Sequence, residues 1–122
     1  MSTDISRSVW SSTRPAQTRL IALGIVWSHG VLDAVTTLAA ATVVGVGAES
    51  NPIIRSLLSQ SPVIAVSAML AGSGVAAALW SAGGRLGLPA WSLFGRALVT
   101  TGLLAAVLNV AVIVVALGGA SA

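Results

Sequence analysis

The chain has 122 residues, of which 56% are hydrophobic and only 7% are charged. Soluble domains carry about 25% charged residues, and a chain of this length cannot hide so much apolar surface from water, so we expect a membrane protein. Cysteine is absent, which excludes disulfides and thiolate sites, and the net charge of +3 comes from scattered arginines, so no nucleic-acid partner is expected.

The chain begins with a Ser/Thr-rich segment, residues 1–18, that is too polar to insert and predicts a polar N-terminal arm. A cleaved signal peptide is the alternative, but the apolar run that follows is too long for one. Each predicted span meets the roughly 20-residue length needed to cross a ~30 Å hydrocarbon layer, the second only just. The expected fold is an all-α, three-span bundle in one transmembrane domain, residues 19–118, with spans at about 20–44, 63–80 and 91–117 and a tail at 119–122.

The arginines predict the orientation of these spans. Five of the six lie before the first span or beside the turn between the second and third, and only Arg55 lies in the other loop. Because positive residues are retained on the cytoplasmic side, we expect the N-terminus in the cytoplasm and the C-terminus outside a cell membrane.

In the first span, polar residues occupy one stripe. At about 100° per residue, His29, Asp33 and Thr36 fall within about 60° of one another, with Thr37 at the edge. An aspartate at a helix centre costs about 3 kcal/mol on insertion. The stripe must therefore face other helices or a water-filled cavity.

Two interpretations of this stripe remain open. In the first, Asp33 and His29 form a proton- or cation-handling pair within the membrane, since intramembrane acids are functional candidates by default. In the second, Asp33 forms a hydrogen bond across a helix interface and His29 satisfies it, so that the pair fixes helix register.

The loop after the first span contains two helix-start signals. Asn51 before Pro52, and Ser61 before Pro62, each read as an N-cap followed by proline at the first helical position. We therefore expect a short helix at about residues 52–60, lying on the outer membrane face. A re-entrant half-helix is the alternative, provided that protein covers its backbone.

The second and third spans contain small residues at helical spacing. Such residues let helix backbones approach closely, which is how membrane helices associate. Because three helices offer little interior, we expect at least one of these seams to contact another protomer or a partner. The residues are Ala68, Gly72 and Ala76 in the second span, and Gly95, Gly102, Asn109 and Ala116 in the third.

Two short motifs point to a family. The segments "DAVTT" and "ESNP" resemble those of an uncharacterised family of small prokaryotic membrane proteins, marked by an intramembrane aspartate and a following E-x-N-P. The resemblance implies a site but no activity, because the family has no established function. The matching residues are Asp33, Thr36, Thr37, Glu49, Asn51 and Pro52.

Enzyme and cofactor motifs are absent from the sequence. There is no G-x-x-x-x-G-K-[ST], H-E-x-x-H or C-x-x-C, so we expect no enzyme activity and no cofactor. A metal site formed by His29, Asp33 and Glu49 is disfavoured, because Glu49 would lie about 24 Å beyond Asp33 along a continuous helix.

These observations predict a structural or accessory subunit that packs its helices into a homo- or hetero-oligomeric membrane assembly. The expected partners are membrane lipid and copies of itself or other membrane subunits. The alternative is a small channel or carrier that moves protons or cations along the stripe formed by Asp33 and His29.

Overall fold

The computed structural model describes residues 5–86 and 90–120, and side chains from Pro15 onward within those ranges. The described chain is helical throughout, with short connections and no strand among these residues. The elements are α1 (Ile5–Ile25), a π-helical segment (Val26–Leu32), α2 (Asp33–Val44), a 3₁₀ turn (Val46–Ala48), α3 (Pro52–Gln60), α4 (Pro62–Arg85) and α5 (Trp91–Gly119).

Three helical stretches are long and apolar enough to cross a membrane. They cover Pro15–Val44, Pro62–Arg85 and Trp91–Gly119, and the most apolar 18 residues of each have mean hydropathies of 1.4, 1.9 and 2.5. The expectation of an all-α chain with three such helices is confirmed at this level. The second stretch continues to Arg85, five residues past its expected end.

The first long helix joins α1, the π-helical segment and α2 without a break. It begins at Ile5, so the segment expected to form a polar arm is helical from that residue onward. Residues 1–4 of the arm lie outside the described part of the chain. Pro15 lies inside α1, where its ring leaves one backbone carbonyl without its usual amide partner.

The first long helix is the centre of the bundle, because α4 and α5 each pack along it and contact each other far less. The apolar core lies between these helices and contains Ile21, Ile25, Ala77 and Trp80. Trp80 Nε1 donates to the Trp91 carbonyl at 3.2 Å, and Trp91 Nε1 donates to the Trp80 carbonyl at 2.7 Å. This reciprocal pair ties the end of α4 to the start of α5.

The two small-residue seams have different environments. Gly95 and Gly102 of α5 are buried, and a Cβ added at Gly102 would lie 2.6 Å from Ser28 Oγ on the first helix. Gly72 of α4 has no atom within 4 Å of an added Cβ. The α5 seam therefore lies inside the fold, whereas the α4 seam faces away from the bundle at Gly72.

The connection after α2 reverses the chain. Gly45 adopts φ +96°, a conformation that glycine accepts without a Cβ clash, and α2 ends there. Asn51 is then the N-cap of α3, as expected: its Oδ1 accepts from the amides of Ile53 at 3.0 Å and Ile54 at 3.4 Å. Leu58 of α3 is buried, and α3 packs on α4.

The second expected N-cap is wrong in one respect. Ser61 precedes Pro62 at the start of α4, but its hydroxyl makes no capping hydrogen bond. Ser61 instead serves both helices through its backbone, because its amide donates to Leu57 O and its carbonyl accepts from the amide of Ala65. A residue that ends one helix and starts the next satisfies terminal groups of both without its side chain.

Candidate functional site

The polar stripe of the first helix faces α5. His29 lies in the π-helical segment, and its Nε2 is 2.7 Å from the Leu98 carbonyl oxygen and 3.4 Å from Thr101 Oγ1. A carbonyl oxygen only accepts hydrogen bonds, so Nε2 must carry the proton in this contact. His29 therefore binds the α5 backbone one turn before Gly102, where an added Cβ would contact Ser28 and His29 of the first helix.

Asp33 begins α2 and belongs to a second polar group on the same face. Its Oδ1 accepts from Asn109 Nδ2 at 3.3 Å and from Thr37 Oγ1 at 3.4 Å. Asn109 Nδ2 also lies 3.2 Å from Thr36 Oγ1 and 3.0 Å from Thr37 Oγ1. We call these four residues the Asp33 cluster. It joins the first helix to α5 over a sequence separation of more than 70 residues.

His29 and Asp33 are adjacent on the helix but bind different parts of α5. No hydrogen bond joins them to each other within the described residues. The π-helical segment has wider turns than an α-helix, which changes the angle expected between them. The structure therefore gives each residue its own partners, Leu98 and Thr101 for His29 and Asn109 for Asp33, rather than pairing the two.

A cavity of about 260 Å³ brings the two motifs of the sequence together. We call it the acidic cavity, because Asp33 and Glu49 both line it. Its remaining polar residues are hydroxyl and amide side chains, and its other walls are apolar. The full lining is Asp33, Thr37, Glu49, Ser50, Asn51, Ile54, Met69, Ala105, Leu108 and Asn109.

The placement of Glu49 corrects a geometric premise of the sequence analysis. The helix does not continue from Asp33 to Glu49, because it ends at Val44 and Gly45 reverses the chain. Glu49 therefore lines the same cavity as Asp33 instead of lying far beyond it. A neighbouring cavity of about 210 Å³ shares Thr37, Glu49 and Asn109 with the acidic cavity.

The E-x-N-P segment is held by its own hydrogen bonds. Glu49 Oε1 accepts from the Asn51 amide at 2.7 Å, and Arg55 Nη1 donates to the Glu49 carbonyl at 3.3 Å. Pro52 occupies the first position of α3, where its missing amide proton leaves no group unsatisfied. Each polar residue of the motif thus contributes to the shape of the connection that closes one side of the acidic cavity.

The acidic cavity offers oxygen ligands without a cationic side chain in its lining. Carboxylate, hydroxyl and amide oxygens are the donors that hard cations prefer. His29 is not among the lining residues, and the described part of the chain contains no group of three His, Cys, Asp or Glu side chains that could hold a metal ion.

Sequence reasoning assigned Asn109 to helix packing and did not connect it with Asp33. The available signal was that Asn109 is the one amide in the most apolar of the three helices, where an isolated polar group needs a partner. Thr101 was missed as a neighbour of His29. A threonine inside an apolar helix usually forms a hydrogen bond with a carbonyl of its own helix, so its sequence position did not indicate a partner on another helix. Thr101 does form such a bond, to the Leu98 carbonyl.

Comparison with known proteins gives one match. The family model described as "Domain of unknown function (DUF5658)" matches residues 24–116, which include the six motif residues and the Asp33 cluster. No curated protein and no solved structure matches the chain.

Proposed function

Because the chain belongs to the DUF5658 family, whose function is unknown, we propose a function from its own geometry. We infer that it is a multi-pass membrane protein that packs as a structural or accessory subunit in a homo- or hetero-oligomeric assembly. Its N-terminus lies in the cytoplasm and its C-terminus outside, as the arginine distribution favours.

The exposed surface of the three long helices carries this proposal. The share of residues buried within the most apolar part of each stretch is 33% for the first, 22% for α4 and 11% for α5. The remaining apolar side chains need lipid or another helix around them, since water would make their exposure unfavourable. A single chain leaves most of α4 and α5 available for such contacts.

The α4 seam supports an interface with another chain. Within this seam of small residues four apart, Gly72 has no atom within 4 Å of an added Cβ, so the α4 backbone is accessible there. Small residues at this spacing let a second helix approach closely. The Asp33 cluster, in contrast, is occupied inside the chain, which supports the interpretation of Asp33 as a residue that fixes helix register.

Cysteine cross-linking tests the proposed interface, because the chain has no natural cysteine. Gly72→Cys should form a disulfide-linked product in native membranes under mild oxidation. Ala78→Cys, also exposed on α4 but on another face, is the matched control and should form less. Equal or absent cross-linking at both positions, together with a monomer in mild detergent, would contradict the proposal.

Cysteine labelling tests the orientation. A cysteine at Thr3 should react with an impermeant reagent only after the cells are permeabilised, and one at Ser121 should react without this treatment. The opposite pattern would overturn the orientation while leaving the subunit proposal intact.

The acidic cavity favours a second candidate function, the handling of protons or small cations. Two carboxylates line it, and Arg55 donates to the backbone carbonyl of Glu49 rather than lining the cavity. Proteoliposomes containing the wild-type protein should then show proton, sodium or potassium flux, and Asp33→Asn should abolish it. Absence of flux for all three ions would exclude this candidate, and unchanged flux in Asp33→Asn would show that the carboxylate is not the carrier.

A further inference from the structure

A second cavity, of about 390 Å³, lies between α1 and α4 and is remote from the acidic cavity. We call it the arginine cavity, because two arginines line it. Both arginines are exposed, so a ligand could reach them. The lining residues are Pro15, Thr18, Arg19, Ala22, Ser81, Gly84 and Arg85.

The charge of this cavity selects the kind of ligand. No carboxylate is among its lining residues. Of the three acids in the chain, Asp33 and Glu49 line the acidic cavity, and Asp4 lies outside the described residues. Asp33 is fourteen residues from Arg19, about 21 Å along a helix. Within the described chain, the cavity therefore presents two positive charges without nearby compensation, which favours an anion.

The C-terminal end of α4 explains why one arginine would not be enough to attract an anion to this cavity. The last carbonyls of a helix carry partial negative charge, which opposes an anion. Arg85 lies in this last turn and offsets that charge. Arg19 comes from α1 and supplies the second guanidinium from the other wall of the cavity.

The position of the cavity along the candidate membrane spans indicates the source of the anion. Arg19 and Arg85 lie near the same end of two candidate membrane spans, Pro15–Val44 and Pro62–Arg85. Trp80 and Trp91 form their reciprocal hydrogen bonds at this end, and tryptophan favours the headgroup level of a bilayer. The cavity would then lie at the headgroups of the cytoplasmic leaflet, which rests on the membrane orientation proposed above.

We propose that the arginine cavity binds the phosphate group of an anionic phospholipid. Guanidinium groups match phosphate oxygens with paired N–H donors, which a lysine ammonium cannot reproduce. Basic pockets between helices on the cytoplasmic side are suited to lipid headgroups. The bound lipid would fill the gap between α1 and α4 and hold the ends of these helices together.

Native mass spectrometry of the full-length protein tests the proposal. The protein is released from mixed micelles that contain equal amounts of phosphatidylglycerol and phosphatidylcholine. Wild type should retain phosphatidylglycerol preferentially. The double variant Arg19→Gln/Arg85→Gln should bind it at least about tenfold more weakly, since it loses the charge-assisted hydrogen bonds from both guanidinium groups to the phosphate.

Two further variants distinguish a built cavity from general positive charge. Arg96→Gln removes an exposed arginine of α5 that does not line the cavity, and it should leave lipid retention unchanged. Arg19→Lys/Arg85→Lys retains the charge and should bind with intermediate strength. Equal loss in Arg96→Gln, or no preference for phosphatidylglycerol in wild type, would overturn the proposal.

A competition arm identifies the source of the phosphate. Inorganic phosphate should not displace the lipid, because the free ion lacks the acyl chains that hold the headgroup at this depth. Complete displacement would overturn the lipid assignment and leave a site for soluble phosphate. Fractionation of the same variants separates this result from the function proposal, since a protein recovered in the soluble fraction would contradict membrane insertion itself.

Discussion

The two ends of the bundle are held together by different physical means. At the end that contains Trp80 and Trp91, α4 and the start of α5 contact closely, and glycines leave room for the indole rings. At the other end, the first helix and α5 are joined by the hydrogen bonds of the Asp33 cluster, and the acidic cavity opens beside them. The first end combines close packing with two hydrogen bonds from indole rings to backbone carbonyls, whereas the second depends on hydrogen bonds between side chains of two helices.

The cavities at the two ends also differ in charge. The tryptophan end carries arginines at the limits of the candidate spans and can hold an anion. The opposite end carries both described acids, Asp33 and Glu49, and can attract a cation. An apolar bundle thus places its few charged residues in two separate places, where solvent, lipid headgroups or a hydrogen-bonded cavity can stabilise them.

The largest effect is expected at the tryptophan end, from Gly95→Val. A Cβ at Gly95 would lie 2.5 Å from Trp80 Nε1 and 2.7 Å from Ile21 Cγ2, both in the packed core. Overpacking of this kind costs about 1 to 3 kcal/mol, and the upper end is expected because the neighbouring groups are a ring and a branched side chain. The measurement is unfolding by dodecyl sulfate in mixed micelles, followed by tryptophan fluorescence.

Gly118→Val is the matched control for this prediction. It adds the same side chain to α5 at a position where an added Cβ would have no atom within 4 Å, and it should leave stability nearly unchanged. If the two variants unfolded at the same denaturant concentration, close packing at the tryptophan end would not be the source of its stability.

A smaller effect is expected at the opposite end, from Asp33→Leu. The substitution removes the carboxylate that accepts hydrogen bonds from Asn109 and Thr37, so stability should fall by about 1 to 2 kcal/mol. Asp33→Asn retains an acceptor oxygen and should lose only about 0.6 kcal/mol, the average for interhelical hydrogen bonds in membranes. Both values come from the same unfolding measurement.

The variant Asn109→Leu tests whether the stabilising effect of Asp33 comes from its hydrogen bond with Asn109. If the hydrogen bond between Asp33 and Asn109 carries the effect, the double variant Asp33→Leu/Asn109→Leu should be less destabilised than the sum of the two single variants. Strict additivity would show that Asp33 stabilises the chain by another route.

The sequence predicted the helices better than their contacts. Hydrophobic length is a local property, so three helices long enough to cross a membrane could be inferred, and the Asn-Pro pair located the start of α3. The π-helical segment was not predicted, because its hydrogen-bond pattern depends on packing: a Cβ at Gly30 would lie 2.5 Å from Ser73 Oγ of α4. Nothing within residues 26–32 alone specifies that contact.

The candidate site was only partly predictable for a similar reason. The stripe of His29, Asp33, Thr36 and Thr37 follows from helical periodicity. Its partner Asn109 lies more than 70 residues away, and spacing does not tell which helix faces which. The end of the first span near residue 44 was predicted, but the meeting of Glu49 with Asp33 also depends on the path of the connection that follows. That path includes Gly45 at φ +96° and a 3₁₀ turn, which the sequence analysis did not predict.

The most local effect is expected in the connection that covers the acidic cavity, from Asn51→Ala. Asn51 Oδ1 accepts from two amides in the first turn of α3, and loss of such an N-cap costs about 1 kcal/mol locally. Hydrogen exchange across residues 50–60 should become faster, whereas the three long helices should keep their protection. Asn51→Ser should restore most of the protection, because serine caps helices well.

Ser59→Ala is the control for Asn51→Ala, since the Ser59 hydroxyl bonds only Ser56 O within α3. If hydrogen exchange in Asn51→Ala matched that of wild type, the Asn51 cap would not stabilise the connection beside Asp33 and Glu49. The difference between the two ends of the bundle would then lie in the Asp33 cluster alone.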